Sequence, residues 1–460
     1  MYQINFRQPI HIHFIGIGGI SMSGLAEILL EEGFTISGSD TKESPLTRQL
    51  SEKGIRVFYP QSAANIIPGT DAVVYTAAIH GDNPEFAAAK EKGLPMLSRA
   101  ELLGQIMDNY PASVAVAGTH GKTTTTSILT QILLAAKSDP TVSVGGILKS
   151  IGGNIRVGHS DIFLTEACEY TNSFLNFRPK YSIILNIEED HLDFFQDLED
   201  IRKSFHKFAA NTLPGGSLII NGEIPAYREL TKGLDVSVAT YGMSEEFDCH
   251  PDKITFDETG CASFTAVYRG QPVVSVSLSV PGAHNASNAL AAVAAALKLR
   301  IPAAAIQKGI KDFKGADRRF ELKGVFGDQV TVVDDYAHHP TEITATLTAA
   351  DNYPHKRLIC VFQPHTYSRT KAFLPEFIQA LSLADIIVLA DIYAARETDT
   401  LGISSRDIEK GLKGLGREAF YFPSFSEIEK FLKKKCMHGD LLITMGAGDV
   451  VKIGEDLLMH

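Results

Sequence analysis

Gly118, Thr119, His120, Gly121, Lys122, Thr123 and Thr124 form one run between a β-type stretch at 114–117 and a helix-like segment. A strand–loop–helix of this kind cradles phosphate. Its glycines let backbone N–H groups approach the anion, and the helix N-terminus adds positive potential. Lys122 supplies a point charge and Thr123 can reach Mg²⁺. The full loop carries a further Gly at position 116, where this chain has Val116. What remains is a shortened Gly-x-x-Gly-Lys-Thr loop, and ATP is its expected ligand. A chance Gly-Lys-Thr in a turn is disfavoured, because strand and helix fall where the motif needs them.

A second glycine turn follows the predicted strand at 11–15, with Gly16, Gly18 and Gly19. A dinucleotide fingerprint needs its third glycine at 21, and the chain has Ser21 there. The next predicted strand, 34–37, leads to Ser39 and Asp40, an acidic residue suited to a ribose hydroxyl. These residues fit the pyrophosphate of a nucleotide or nucleotide sugar. A nicotinamide-dependent oxidoreductase is the competing functional reading, and a glycine turn that only packs helix on sheet is the structural one.

Further polar residues cluster at predicted strand ends, where ligands of open α/β sheets collect. Glu166 follows the strand at 162–165 and, with Thr123, offers the oxygen ligands that Mg²⁺ prefers. His191 lies in an acidic run after a strand at 182–186, placed to bind a second ion or orient substrate, or to serve as a structural histidine. Asn285 and Asn288 open an alanine-rich helix, where Asn285 suits an N-cap or an adenine edge. Asp335, Tyr336 and His338 follow the strand at 331–334, and Arg369 follows the one at 358–362. The planar fork of Arg369 matches a carboxylate.

These positions need three α/β units to hold them. At 460 residues the chain exceeds one core, and 44% hydrophobic with 21% charged residues is ordinary for a globular protein. Strand–helix alternation up to about 108 implies a parallel sheet. A second unit, 109–322, holds the phosphate loop, a β-rich stretch at 262–280 and the alanine-rich helix from 285 to about 299, and ends near a linker at 315–319. A third, 323–460, repeats the α/β rhythm. The expected fold is α/β with Rossmann-like ends and a P-loop ATPase-like centre bearing added strands.

Composition narrows the partners. A net charge of −11 argues against a nonspecific grip on nucleic acid or anionic membrane. The apolar stretch 289–297 is too short for membrane insertion. Five scattered cysteines and no signal-like N-terminus suggest reduced thiols and a cytoplasmic location.

Taken in order, the runs 16–24, 118–124, 186–193, 284–288, 334–342 and 362–365 resemble the Mur ligases of peptidoglycan synthesis over essentially the whole chain. Within that family the chain is most similar to members that join L-alanine to UDP-N-acetylmuramate. The resemblance implies a UDP-sugar domain at 1–108 (Gly16, Gly18, Gly19, Ser21, Ser39, Asp40), an ATP domain at 109–322, and a closing, amino-acid-binding domain at 323–460. It implies Lys122 on the β/γ-phosphates, Thr123 and Glu166 on one Mg²⁺, and His191 on a second. Asn285 and Asn288 would lie near adenine, Arg319 on phosphate, and Asp335 and His338 at ribose or the reaction centre. Tyr336, His338 and Arg369 would receive L-alanine, and a monomer or weak homodimer is expected. The implied chemistry is ATP phosphorylation of the sugar carboxylate to an acyl phosphate, which the amine then attacks. Departures are Cys168, Glu169 and Tyr170 after Glu166, and Thr366 where relatives often carry Arg. A ligase attaching a recycled tripeptide is the near alternative, and a non-catalytic nucleotide sensor a distant one.

Overall fold

The computed structural model describes residues 2–76, 78–327, 329–395 and 397–459. Its strands fall into three sheets that follow one another along the chain. In the first, all parallel, Arg56–Phe58, Thr35–Ser39, His11–Ile15, Ala72–Tyr75 and Met96–Ser98 lie in that spatial order. Short apolar strands with helical crossovers dictate this arrangement, because both faces of a parallel sheet must be covered. His11–Ile15 at the centre has its last four residues buried, and the glycine turn leaves its carboxyl end.

The second sheet has ten strands. At its heart Ala112–Ala117 lies between Tyr181–Ile184 and Ile162–Ala167, in parallel register with both. The chain winds outward in both directions from Ala112–Ala117, which makes its carboxyl end a topological switch point. Three antiparallel strands, Cys249–Phe256, Cys261–Tyr268 and Gln271–Pro281, extend one edge. Beside them packs the alanine-rich helix Ala283–Lys298, buried continuously from Ala289 to Ala296. Small side chains let this helix approach the strands closely.

The third sheet has six strands. Glu321–Phe326 pairs antiparallel with Val330–Asp335, and Leu441–Met445, Leu358–Phe362, Ile386–Leu389 and Glu418–Tyr421 follow in parallel. The linker at 315–319 crosses between sheets with Gly315 at φ 97° and Arg318 at φ 62°. Arg318 anchors it in the third sheet, donating to Asp334 Oδ2 (3.0 Å) and to the Gly446 and Gly448 carbonyls.

Several sequence expectations shift: Glu166 and Asp335 lie inside the strands Ile162–Ala167 and Val330–Asp335 rather than after them. The second strand runs Thr35–Ser39 rather than 34–37, and the strand placed at 182–186 is Tyr181–Ile184, leaving Asn186 in the following loop. The hairpin Thr141–Leu148 with Gly153–Arg156 was not anticipated. Its Ser143 and paired glycines Gly145 and Gly146 carry no strong β pattern.

Candidate active site

The phosphate loop leaves Ala112–Ala117 and enters the helix Lys122–Ala135. Gly121 has φ 82°, and a Cβ on it would lie 2.5 Å from Asn288 Oδ1, so no other residue fits without movement. Asn186 pins the loop from the neighbouring strand end. Its Oδ1 accepts the His120 N–H at 2.7 Å, and its Nδ2 donates to the His120 carbonyl at 3.0 Å. Thr119 Oγ1 accepts the Glu188 N–H at 3.0 Å. The loop is thus shaped before any ligand arrives.

Lys122 folds back over this loop, donating to the Gly118 and Thr119 carbonyls and pairing with Glu169 Oε2 at 2.9 Å. Burial acts to lower its pKa, but the Glu169 carboxylate outweighs it and the net shift is upward. Thr123 Oγ1 donates to Glu166 Oε2 (3.1 Å), while Glu166 Oε1 accepts the Gly145 N–H (2.5 Å). Burial raises the Glu166 pKa against these hydrogen bonds. A hydroxyl and a carboxylate together beside the lysine form a hard oxygen donor set that fits Mg²⁺.

His191, at φ 52°, places Nε2 3.7 Å from both Glu169 Oε1 and Asp190 Oδ2, with its ring 4.5 Å from that of Tyr170. Burial lowers its pKa and favours the neutral imidazole. Arg369 reaches this point from the third sheet. Its Nε and Nη2 donate to Asp190 Oδ1 at 3.0 and 2.9 Å, and its Nη1 lies 3.0 Å from His365 Nδ1. Arg369 stands where a substrate carboxylate was expected to meet it, but Asp190 already holds two of its nitrogens.

A cavity of 230 Å³ opens beside the loop, lined by His120, Asn285, Asn288, Arg319, Asp335 and Glu342 among others. Asn285 is not the helix cap: Gly282 holds that position, and Asn285 Nδ2 donates back to the Pro281 carbonyl at 2.7 Å. Asn288 Oδ1 accepts from Thr125 Oγ1 at 3.3 Å, tying the alanine-rich helix to the phosphate-loop helix. Burial pushes the Asp335 carboxyl up to about 6, although it accepts the Phe320 and Ala337 N–H groups. Tyr336 sits under both Arg318 and Arg319, and His338 meets the Tyr336 and His365 rings edge-on.

A second cavity, 660 Å³, lies at the first sheet and is lined by Gly16, Gly18, Gly19, Asp40, His80 and Asn83 among others. Asp40 Oδ2 accepts the Gly18 N–H at 2.8 Å. Ser39 is fully buried and turned inward, its hydroxyl donated to Glu85. Ser21 Oγ accepts from Arg99 Nη1 at 3.2 Å, and Ser21 does not line the cavity.

The structure therefore gathers Lys122, Thr123, Glu166 and His191 at one place, and Asn285, Asn288, Arg319 and Asp335 around the adjoining cavity. It adds Glu188 and Glu342, which sequence reasoning did not single out, and Glu169, which it noted only as a departure from the family pattern. Glu188 and Glu342 lay within runs already noted, 186–193 and 334–342, and their acidic type was the available signal. His120, Glu188 and His339 bring potential ligand atoms within 4.8 Å of one another. Both His120 ring nitrogens face carboxylates, Glu342 Oε1 at 3.2 Å and Glu188 Oε2 at 3.5 Å.

Three family models match consecutive parts of the chain: the Mur ligase family catalytic domain at 11–111, the Mur ligase middle domain at 116–296, and the Mur ligase glutamate ligase domain at 318–448. The chain belongs to the Mur ligase family. Among its relatives, a UDP-N-acetylmuramate–L-alanine ligase of Agathobacter rectalis is 67% identical, with all of both chains covered. The corresponding protein of Lachnospira eligens is 58% identical over the full length of both. The Mur ligase fold also matches the crystal structure of a UDP-N-acetylmuramate-alanine ligase from Thermotoga maritima, with TM-score 0.80, 30% identity and 98% of each chain covered. A murein peptide ligase from Psychrobacter arcticus matches with TM-score 0.70, 25% identity and 98% coverage of each. Among the described residues no helix is long and apolar enough to cross a membrane.

Proposed function

We propose that the chain is an ATP-dependent ligase that joins L-alanine to the carboxylate of UDP-N-acetylmuramate, releasing ADP and phosphate, in cytoplasmic peptidoglycan synthesis. The observation that carries this is full-length identity of 67% to a relative of that name. The phosphate loop and the separate cavity at the Gly16 turn support it. The three sheets suit a division into UDP-sugar binding at 1–108, ATP binding at 109–322 and amino-acid binding at 323–460.

A carboxylate resists an amine because oxide is a very poor leaving group, whereas an acyl phosphate releases phosphate readily. Lys122 exchanges Glu169 for the β/γ-phosphates and offsets charge on the phosphoryl group in flight. Thr123 and Glu166 hold one Mg²⁺ and His191 a second; when bound, these ions neutralise phosphate charge. Asn285 and Asn288 meet adenine, Asp335 the ribose, and Arg319 a phosphate. Gly16, Gly18, Gly19 and Asp40 hold the UDP-sugar. Tyr336, His338 and Arg369 receive the amino acid, and His338 takes the amine proton, a role His191 could fill only without its metal ion. Docking of the third sheet over the second keeps water from the activated acyl group.

Coupled ADP release, measured with UDP-N-acetylmuramate, ATP and either L-alanine or an L-alanyl tripeptide, tests the reading. Turnover with L-alanine is expected. Turnover with the tripeptide alone would assign the chain to the peptide-recycling reaction instead.

A further inference from the structure

Glu342 lies in the first turn of the helix Pro340–Asp351 of the third sheet, yet its carboxylate faces the second. Oε1 lies 3.2 Å from His120 Nδ1 in the phosphate loop and 3.8 Å from Arg319 Nη1 in the linker. Oε2 accepts the backbone N–H of His338 at 3.1 Å and lies 3.2 Å from its Nδ1. One nearly buried carboxylate thus touches the nucleotide loop, the linker and the reaction-side rim.

Around it the same two segments meet repeatedly. Thr341 Oγ1 donates to Glu188 Oε2 at 2.7 Å, and His339 Nε2 lies 3.1 Å from the Glu189 carbonyl. These contacts bind the helix start to the strand-end run at 188–190; at the loop itself the His339 ring lies 4.8 Å from that of His120, and Glu342 brings the charged contact. The backbone of His120 is fixed within the second sheet by Asn186, which leaves its imidazole as the loop's side-chain handle for the third.

We propose that Glu342 is a positioning residue that uses His120 to couple docking of the third sheet to the shape of the phosphate loop. It acts through His120 rather than on the nucleotide. The inference goes beyond the proposed reaction, since it assigns a communicating pair between two sheets, and it shares with that reading only the nucleotide as ligand.

The test is a double-substitution cycle on the full chain, read as equilibrium binding of Mg·ADP and, separately, of UDP-N-acetylmuramate. Glu342→Gln keeps size and hydrogen bonding but removes the charge, and His120→Gln removes the handle. Each single change is expected to weaken ADP binding about tenfold, the loss of a buried charged partner. The double variant is expected to bind no more than about threefold more weakly than the worse single, because both remove one link. UDP-N-acetylmuramate binding stays within about twofold of wild type, which a general loss of packing would not allow. Multiplicative losses in the double variant, ADP binding by Glu342→Gln within about twofold of wild type, or equal weakening of both ligands would each overturn the proposal. If Glu342→Gln unfolds below the assay temperature, Glu342→Asp, charged but one methylene short, replaces it under the same criteria. Failure of the wild type to bind UDP-N-acetylmuramate would count against the proposed reaction and leave the ADP arm intact.

Discussion

Asp190 and Arg369, 179 residues apart, join the second and third sheets through one oxygen: Asp190 Oδ1 accepts from both Nε and Nη2 of Arg369. Both side chains are less than a tenth exposed. Burial would raise the Asp190 carboxyl, but Arg369 holds it well below the usual range. Removing one member of such a pair strands a buried charge. Asp190→Asn is therefore expected to cost about 3 kcal/mol or more of stability, measured by denaturant unfolding. It should also weaken L-alanine, because the guanidinium loses the anchor that aims it. An unchanged unfolding midpoint would show that the pair contributes nothing to docking.

Lys122 poses the opposite case, a cation held by a partner it must leave. Lys122→Ala is expected to lower turnover by roughly 10³-fold, with near-normal activity contradicting its place on the phosphates. Glu169→Gln removes the competing carboxylate while keeping the shape. ADP should then bind about threefold more tightly, since less ion pairing has to be broken on binding. Titration calorimetry on the two variants gives opposite signs if the exchange occurs.

What the sequence made legible divides along sequence distance. The phosphate loop was readable because strand, glycines, lysine and helix are contiguous, and the strands His11–Ile15 and Leu358–Phe362 stood where their apolar runs placed them. The hairpin at 141–156 was missed because glycine and serine blunt its pattern. Pairings such as Lys122 with Glu169 and His120 with Glu342 have no local periodicity. They arise from sheet order, and only the fold shows which acid answers which base. Ser39 illustrates the converse: its place after a strand suggested a ligand contact, but strand alternation turned it toward Glu85.

Glu166 and Thr123 offer a direct test of metal binding. Glu166→Gln keeps the contact with Thr123 but removes the negative charge of the pair and one of its two carboxylate oxygens. The Mg²⁺ concentration giving half-maximal turnover is expected to rise about tenfold, with Mn²⁺ recovering part of the loss. A Mg²⁺ dependence identical to wild type would remove Glu166 from the metal site.

The histidines set a pH window for stability. Burial, then His120, lowers His339 to about 4 from an ordinary value of 6.5. Its Nδ1 accepts the Thr341 N–H and its Nε2 faces the Glu189 carbonyl, a pattern that only the neutral ring satisfies. A depressed folded-state pKa means that this stability is complete above 6.5 and is lost as pH falls toward 4. For a residue 4% exposed the loss approaches about 3 kcal/mol. His365, likewise held near 4 by burial and then by His338, acts with the same sign. His120 acts with the other: burial opposes its charge, but Glu188 and Glu342 raise it to about 9, so its contribution is complete below 6.5 and fades toward 9. Thermal unfolding followed across that range should therefore show a maximum near neutrality. His339→Gln should flatten the acid limb and leave the alkaline limb in place, while His120→Gln should flatten the alkaline limb. A variant that moves both limbs together would mean that neither histidine carries the titration assigned to it.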